Sequence, residues 1–528
     1  IGSVIGSEFS YELLHAVHSL SDEDLQHELH RLTDADLLYV RGLAPDAIYQ
    51  FKHALIRDAA YEALLKSRRR ELHRLVAQTI DERFPVLREA QPEVLARHWM
   101  EAGETEAAIR EWSRAAGAAE AHNALSEALE SYRHALALTL QLPESPQRQR
   151  HELELRQSAG WTLGMLRGFA AAETVEANEQ AAATAEKAGN LAQLVRIMSL
   201  RSAGAGSSGD WTACGRIADE ALTLALRERS PDCLAYGYGA HLVPCHFLGR
   251  LADAENDFDA GLAFFRAPGL QELQGWRVTI LHCASRNAWM VGRADAARRR
   301  DDMMLAAAND DKPFDLVSAW FGAAYQRVYL REYGDAEAFG ARALSLAERH
   351  QFQQLVAHAE CILGYARTEV GRINEGIALM RLGIRHLHEV RALGDVPYFM
   401  TLLAAVIADS GDSAEALETI ERALAAPSDA LSSKPETLRI RGELRLKHGQ
   451  NKAAEADFHE SLALARSMGA KAWELRTTMS LARLLDQQGR RDEARAMLTE
   501  IYNWFTEGFD TPDLKDAKAL LDQLSKPS

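Results

Sequence analysis

The chain alternates between apolar helical stretches and short polar turns over most of its length. Apolar and small residues recur every three or four positions, and a glycine then separates one stretch from an alanine-rich one. A nearly constant period of this kind predicts an array of helical repeats. Eight such glycines follow at steps of 40, 43, 42, 37, 40, 38 and 40 residues, namely Gly209, Gly249, Gly292, Gly334, Gly371, Gly411, Gly449 and Gly489.

Each period has the features of a helical hairpin. Glycine favours the left-handed turn that ends a first helix, and alanine lets a second helix pack closely against it. After Gly449, the residues Ala454, Phe458 and Leu462 are four positions apart and therefore share one helical face. One hairpin cannot bury such a face alone, so we expect successive hairpins to stack.

The stretch LGYARTEVGRINEGIAL (363–379) resembles the tetratricopeptide repeat (TPR), with Gly364 and Tyr365 at signature positions. The usual period is about 34 residues, so longer helices or turns are expected here. A HEAT-like helix pair has a similar period, but a glycine turn followed by alanine favours the TPR. The resemblance implies a superhelix with a concave face.

The first ninety residues lack this repeat, and their pattern favours a winged-helix layout. The segments LLYV (37–40) and IYQF (48–51), separated by a turn with Gly42 and Pro45, predict a β-hairpin. Ser21 and Asp24 are placed as in a capping box. The predicted helices cover residues 8–17, 21–32, 56–65 and 69–84.

The predicted fold is all-α: a TPR-like α-superhelix of about ten helical hairpins, preceded by a small winged-helix domain with a short β-hairpin. Polar, proline-containing breaks occur at 142–152 and 425–436. The predicted domains are a winged-helix-like domain over 1–90, first helical repeats over 91–145, a TPR-like array over 146–505 and a C-terminal capping helix over 506–528.

Charge argues against a nucleic-acid partner, although a winged helix often binds DNA. The formal net charge is −16, and the first hundred residues carry 12 Lys and Arg against 16 Asp and Glu. A helix that reads a DNA groove should be basic, whereas the helix predicted over 21–32 is acidic. A DNA-binding transcriptional regulator with a TPR-like sensor domain is the alternative, and salt-dependent DNA binding would support it.

Cysteine usage and hydropathy favour a cytoplasmic protein without a membrane segment. The five cysteines are far apart and form no CxxC pair, which is typical of reduced thiols. No apolar run reaches the roughly 18 residues of a membrane helix, and no signal peptide is evident. The chain starts with Ile1, so we expect it to be part of a longer polypeptide.

Several histidines, Cys245 and an arginine cluster are the candidates for a metal site, a nucleophile or an anion site. Two histidine pairs share a helix face by spacing, but they lack Cys or carboxylate partners, so we expect surface histidines and no metal site. His241, Cys245 and His246 could indicate a nucleophile, but Cys in a repeat helix is usually a small hydrophobic residue. The Arg-rich stretch 293–304 is followed by acids and favours a solvated face.

Aromatic residues on the first helices of the repeats are candidates for the concave groove. Packing between repeats is the ordinary role of such residues, but a subset could anchor a protein or peptide partner. The candidates are Trp276, Trp289, Trp320, Tyr365 and Trp473.

Four segments resemble one protein family. They are VIGSEFSYELL (4–14), FKHALIRDAAYEALLKSRRRELHRLVAQTIDERFP (51–85), GAKAWELRTTMSLARLL (469–485) and YNWFTEGFDTPDLKDAKALLDQL (502–524). They are similar to the C-terminal winged-helix and TPR region of bacterial class III adenylate/guanylate cyclase–AAA-type ATPase fusion proteins, a class of signal-transduction ATPases.

The resemblance implies that cyclase and ATPase modules precede this region and hold ATP and Mg²⁺. The sequence contains no G-x-x-x-x-G-K-[ST] loop, so we expect no cofactor here and a non-catalytic regulatory and protein-interaction tail. Its expected partners are those modules and a protein or peptide on the concave surface. His53 either pins the wing to the next helix or contacts the nucleotide module. The expected interdomain contacts are Lys52, His53, Arg57, Arg68, Arg69 and Arg70.

Overall fold

The structure is a computed structural model, and it describes residues 1–265 and 274–526. Its contacts divide the chain into two compact units, Ile1–Ala159 and Gly160–Ser528. Within the described residues there are 28 helices and three short strands. The predicted all-α class is therefore confirmed.

Unit 1 begins with a three-stranded antiparallel sheet in the order β1-β3-β2. The strands are β1 (Glu8–Ser10), β2 (Leu38–Arg41) and β3 (Ile48–Phe51). Tyr49 lies opposite Phe9 on one side and opposite Val40 on the other. The predicted β-hairpin is thus confirmed as the β2–β3 pair.

The helix predicted over residues 8–17 is wrong in its first three residues. Glu8–Ser10 form β1, where Phe9 is buried and its ring lies 5.9 Å from that of Tyr49. The helix starts only at Tyr11, because the Ser10 hydroxyl accepts a hydrogen bond from the Leu13 N–H at 3.2 Å and caps the new helix.

Six helices accompany the sheet. Ser21 caps α3 as predicted, since its hydroxyl accepts a hydrogen bond from the Asp24 N–H at 3.2 Å. The winged-helix assignment of this region stays a prediction. The helices are α1 (Gly2–Ile5), α2 (Tyr11–Val17), α3 (Asp22–Asp34), α4 (Ala54–Glu62), α5 (Lys66–Arg83) and α6 (Pro85–Ala90).

The first repeat-like helices complete unit 1. Left-handed residues mark the turns between them, Gly103 with φ 81° and Asn123 with φ 57°. The helices are α7 (Pro92–Ala102), α8 (Thr105–Ala121), α9 (Leu125–Thr139) and α10 (Pro146–Arg167). The division between the units falls inside α10.

Unit 2 continues with α11 and eight helical hairpins, and α28 follows them. The hairpins pair α12 with α13, and so on up to α26 with α27. The bounds are α11 (Ala172–Ala188), α12 (Leu191–Ser207), α13 (Trp211–Glu228), α14 (Pro231–Phe247), α15 (Leu251–Phe265), α16 (Gln274–Met290), α17 (Ala294–Ala307), α18 (Pro313–Tyr329), α19 (Tyr333–Arg349), α20 (Gln353–Glu369), α21 (Ile373–Glu389), α22 (Val396–Asp409), α23 (Ser413–Leu424), α24 (Lys434–Lys447), α25 (Asn451–Met468), α26 (Lys471–Gln487), α27 (Arg491–Tyr502) and α28 (Pro512–Leu524).

Seven of the eight predicted turn glycines have positive φ, and Gly334 is the exception. Gly334 lies in the first turn of α19, and Arg331 takes the left-handed position with φ 60°. Arg331 donates to Asp516 at 2.6 Å, which helps to hold a conformation that glycine would adopt more readily. With Arg331 as the turn residue, the steps around it become 39 and 40 residues, so the repeat is more regular than the glycines alone indicate.

The array of unit 2 folds back on itself. The loop between α23 and α24 reaches the first hairpins, where the Leu431 N–H donates to the Phe247 carbonyl at 2.7 Å. Further along, Glu507 accepts from the Ala296 N–H at 3.0 Å. Hairpin tips therefore contact segments about two hundred residues later in the chain.

Candidate ligand site

The inner face of unit 2 contains a partly open cavity of about 180 Å³. The first helices of five successive hairpins, α12, α14, α16, α18 and α20, contribute side chains to it. Because these helices repeat at a fixed period, each presents one inward face to the same space. The main polar and aromatic lining residues are Trp161, Phe169, Ser202, Trp211, Phe247, Trp276, His282, Arg286, Phe314, Ser318, Phe321, Gln354, His358 and Asp395.

Aromatic rings form much of the wall. Trp211 stacks on Phe247 with ring centroids 3.6 Å apart. The ring centroid of Trp161 lies 5.8 Å from that of Phe169 and 6.0 Å from that of Phe314, which it meets edge-on. Such a wall suits an apolar or aromatic ligand surface.

Arg286 supplies the cavity with a buried positive charge. Its side chain is 2 % exposed, and its guanidinium lies 4.2 Å from the ring centre of Tyr325 and 5.0 Å from that of Phe247. Its Nη2 donates to the Tyr325 hydroxyl at 3.2 Å and to Asp395 at 3.4 Å. Its buried Nε has no hydrogen-bond partner among the residues that the structure describes.

Asp395, His282 and His358 also line the cavity. The protonation of the two histidines and of Arg286 sets the charge around Asp395. Burial lowers the pKa of Arg286, but the Tyr325 and Tyr329 hydroxyls and Asp395 raise it more, so the guanidinium stays charged. Burial lowers the pKa of His358 and lowers that of His282 well below its usual value. Both rings are therefore neutral at pH 7, and the 3.8 Å contact between His358 and Asp395 is no ion pair at that pH.

A second cavity of unit 2, of about 250 Å³, is strongly charged but internally paired. Arg439 donates to both oxygens of Glu436 at 2.7 and 2.8 Å. Arg476 donates to Asp513 at 2.8 Å. Arg439 and Arg476 are therefore already matched by carboxylates.

His241, Cys245 and Asp257 have donor atoms within 4.8 Å of one another, close enough to consider a shared metal ion. However, Nδ1 of His241 lies 2.6 Å from Asp257 and Nε2 lies 2.9 Å from Asp219. Cys245 Sγ is 3.7 Å from both ring nitrogens, so it does not lie beside the lone pair of either one. The arrangement fits a protonated imidazole between two carboxylates better than a metal ligand set.

The same cluster does not fit a catalytic nucleophile. Burial lowers the pKa of His241, but hydrogen bonds to Asp257 and Cys245 raise it more, to about 10. A histidine that is already protonated at pH 7 cannot act as a general base. Cys245 is moreover 1 % exposed, so a substrate could not reach it.

Unit 1 has its own cavity of about 730 Å³, lined in part by Tyr61, His73 and His98. The Nδ1 atoms of His73 and His98 lie 2.8 Å apart, and Tyr61 bonds Nε2 of His73 at 3.0 Å. One imidazole must donate and the other accept in the bond between the rings. Burial lowers the pKa of His73 to about 4 and that of His98 to about 3, so the pair is neutral at pH 7.

The aromatic residues predicted for the groove occupy different places. Trp276 lines the 180 Å³ cavity, and Tyr365 lines the charged one. Trp289 and Trp473 pack against each other at 4.7 Å, and both are buried. Trp320 lies under the guanidinium of Arg342 at 4.1 Å. Whether any of them binds a partner stays a prediction.

The predicted interdomain residues lie on α4, α5 and the turn before them. Lys52 pairs with Asp36, Arg57 with Asp58 and Arg68 with Glu71. Arg69 donates to the carbonyls of Glu62 and Leu64 at 2.9 Å and stacks on Tyr61, so it closes the turn between α4 and α5. His53 precedes α4, and both His53 and Arg70 are exposed. Their role between domains stays a prediction.

The sequence analysis missed Arg286, Asp395 and the ring pair Trp211–Phe247. Arg286 follows His282 by four residues in α16, so both share a helix face. The sequence signal for Arg286 was that a charged residue stands on the otherwise apolar face of a repeat helix, where it indicates a buried polar site. Asp395 lies in a loop, and no local pattern would have placed it beside Arg286.

Comparisons with known proteins agree with the repeat fold. No family model matches the chain. An uncharacterized protein of Rhizobium meliloti (strain 1021) is 24% identical over 449 residues, which cover 80% of this chain and 42% of that protein. The chain thus spans less than half the length of this relative.

Solved structures show the likeness in three dimensions. The Rap protein in complex with competence and sporulation factor has a TM-score of 0.50 at 13% identity, covering 69% of this chain and 99% of that one. The anaphase-promoting complex Cut9–Hcn1 hetero-tetramer has a TM-score of 0.40 at 13% identity, covering 90% and 95%. The likeness to Rap shows the fold alone, which is a TPR-like helical repeat. In the described part of the chain, every helix is too short or too polar to cross a bilayer.

Proposed function

We propose that this chain is a non-catalytic regulatory and interaction region of a larger bacterial signalling protein, located in the cytoplasm. The inner face of its TPR-like repeats would bind an effector, and binding would shift a conformational equilibrium of the whole protein. The observation that carries the proposal is the partly open aromatic cavity, lined by a buried arginine whose Nε–H has no partner among the described residues.

Two comparisons support this role. Rap, which is similar in fold, was solved in complex with competence and sporulation factor, which supports a binding role for the repeats of this chain. The chain covers 42% of its Rhizobium meliloti relative, which agrees with a region that acts beside other modules. By resemblance, those modules are an ATPase and an adenylate or guanylate cyclase that hold ATP and Mg²⁺.

An exposed apolar and basic surface supports a contact with such a module. Leu55 on α4 is 80% exposed and Leu65, before α5, is 77% exposed, and Arg68 and Arg70 follow in the first turns of α5. Large exposed leucines beside charges are typical of interaction surfaces. In this proposal residues 1–90 transmit the signal, 91–145 and 146–505 form the repeats, and 506–528 cap the array.

The test compares this chain with the longer polypeptide that contains it. Both are purified and assayed for ATP hydrolysis and for cyclic-nucleotide synthesis. We expect turnover only in the longer protein, and a changed rate when this region is deleted. A Leu55→Ser/Leu65→Ser variant of the longer protein should behave like the deletion, whereas Leu43→Ser, which changes a leucine that is 86% exposed on the β2–β3 turn, should not.

Turnover by the isolated chain would refute the non-catalytic assignment. A longer protein whose rate does not respond to deletion of this region would refute the regulatory assignment.

A further inference from the structure

Arg286 differs from the other buried arginines of unit 2 in how its charge is matched. Arg300, Arg439 and Arg476 each donate to a carboxylate at 2.8 Å or less. Arg286 reaches its carboxylate, Asp395, with one nitrogen at 3.4 Å. A buried guanidinium normally gains strong, often two-point hydrogen bonds to an anion, so Arg286 has unused capacity for one.

The surroundings of Arg286 define what that anion could belong to. The ring centres of Tyr325 and Phe247 lie 4.2 and 5.0 Å from the guanidinium, and Arg286 itself lines the cavity, so an anion in the cavity would meet the guanidinium beside these rings. The space beyond is about 180 Å³ and is bounded by aromatic rings, among them Trp161 and Trp211. A small ring with one acidic group fits this combination of size and chemistry.

We propose that this cavity binds a small aromatic carboxylate, with the carboxylate on the edge of Arg286 and the ring between the aromatic walls. The inference rests on the proposed regulatory function and names the chemical class of its effector. Among the described lining residues Arg286 is the one fully charged cation, since His282 and His358 are neutral at pH 7, and Asp395 matches it through a single long bond of 3.4 Å. A phosphate dianion would lack a second cation there.

Asp395 makes the site sensitive to an amino group on the ligand. Among the described residues, its carboxylate accepts two long hydrogen bonds of 3.4 Å, from Arg286 and from the Tyr325 hydroxyl. An aromatic amino acid could place its ammonium group there, whereas an aryl acid could not. The same carboxylate chemistry could therefore come from either source, and binding measurements separate the two.

The experiment measures binding to the 528-residue chain by calorimetry and by tryptophan fluorescence. The probes are phenylacetate, 3-phenylpropionate and L-phenylalanine, with neutral phenylacetamide as the control of equal shape. We expect at least one carboxylate to bind, and phenylacetamide to bind roughly tenfold to a hundredfold more weakly, because it cannot form a charge-assisted bond. Tighter binding of L-phenylalanine than of the two acids would identify an amino acid as the source.

Two variants and one control variant locate the site. Arg286→Gln should weaken binding of the carboxylate by a similar factor, whereas Arg476→Gln, which also changes a buried arginine stacked on aromatic rings, should leave it unchanged. Ser318→Phe fills the cavity from α18 and should abolish binding without touching any charge. The comparison of acid with amide on the unaltered protein needs no variant, so it stands even if Arg286→Gln does not fold.

The proposal fails if no carboxylate binds at up to about 10 mM, where even weak fragment-sized ligands are detected. It also fails if phenylacetamide binds as tightly as phenylacetate, or if Ser318→Phe leaves binding intact. None of these results touches the regulatory role itself, which is judged by the effect of this region on ATP hydrolysis by the longer protein.

Discussion

The carboxylate of Asp429 accepts a hydrogen bond from the backbone N–H of Trp211 at 2.7 Å, although 218 residues separate the two. The other carboxylate oxygen accepts from the Thr212 N–H at 2.8 Å. Asp210 caps the same helix locally, through the Ala213 N–H at 2.8 Å. Helix α13 therefore has two N-terminal caps, one from its own turn and one from the loop that closes the array.

Removing the remote cap should loosen the closed array. We expect Asp429→Ala to cost about 1 kcal/mol of unfolding free energy, the usual value for an N-cap, and to speed hydrogen exchange at Trp211 and Thr212. Asp412→Ala is the matched control, because Asp412 caps only its own helix through Glu415. Unchanged exchange at Trp211 and Thr212 in Asp429→Ala would show that the remote cap does not hold α13.

The same contact predicts a loss of stability in acid. Burial raises the pKa of Asp429, but its bonds from the Thr212 hydroxyl and from the Trp211 and Thr212 amides lower it more, so the net shift is downward. A carboxyl with a lowered pKa stabilises the fold above its unfolded pKa, and this contribution disappears as the pH falls through the folded value. Asp429→Ala should therefore lose less stability than the unaltered protein between pH 5 and pH 3, as measured by thermal unfolding.

The two glycines Gly334 and Gly371 should respond in opposite ways to alanine. Gly334 lies inside α19, where an added Cβ meets nothing within 4 Å, and Gly371 has φ 96° in a turn. Gly334→Ala should stabilise the protein by about 0.5–1 kcal/mol through helix propensity, and Gly371→Ala should destabilise it by about 1 kcal/mol or more. Thermal unfolding of both variants distinguishes the signs, and destabilisation by Gly334→Ala would contradict its placement in the helix.

The His73–His98 pair should make unit 1 sensitive to acid. The pKa values of His73 and His98 lie below the usual 6.5, at about 4 and about 3. Between those values and pH 6.5, the two histidines are protonated in the unfolded chain and neutral in the folded one. Unfolding free energy should fall by about 1.4 kcal/mol per pH unit for each histidine as the pH drops below 6.5.

Variants at this pair test the titration. His98→Gln should be less stable at pH 7.5, because the buried bond is lost, yet it should lose less stability between pH 7 and pH 5. Urea unfolding at both pH values measures this, with exposed His27→Gln as the control. An acid dependence that is unchanged in His98→Gln would rule out the pair as its source.

Helix α3 should not bind DNA. Its exposed residues include Asp22, Glu23, Asp24 and Glu28, against Arg31, and acidic side chains repel phosphates. We expect no mobility shift of duplex DNA by this chain at about 150 mM salt, where the screening length is near 8 Å. A shift that weakens as salt rises would revive the DNA-binding alternative.

Local rules explain most of what the sequence predicted correctly. A glycine turn, a serine cap and a four-residue apolar spacing each act within a few positions, so Gly449 and Ser21 could be placed from their neighbours alone. The errors at Gly334 and at residues 8–10 have non-local causes. Arg331 is held by Asp516 from α28, and Phe9 pairs with Tyr49 across the sheet.

By itself, the sequence determined that this chain is a stack of helical hairpins with a period near 40 residues. The reason is that hydrophobic periodicity and turn chemistry are local. Only the tertiary structure decided that Asp429 caps α13 and that Arg286 faces an aromatic cavity with one long contact to Asp395. Those contacts depend on the small rotation between each hairpin and the next, summed over several hairpins. The sequence of one repeat does not determine that sum.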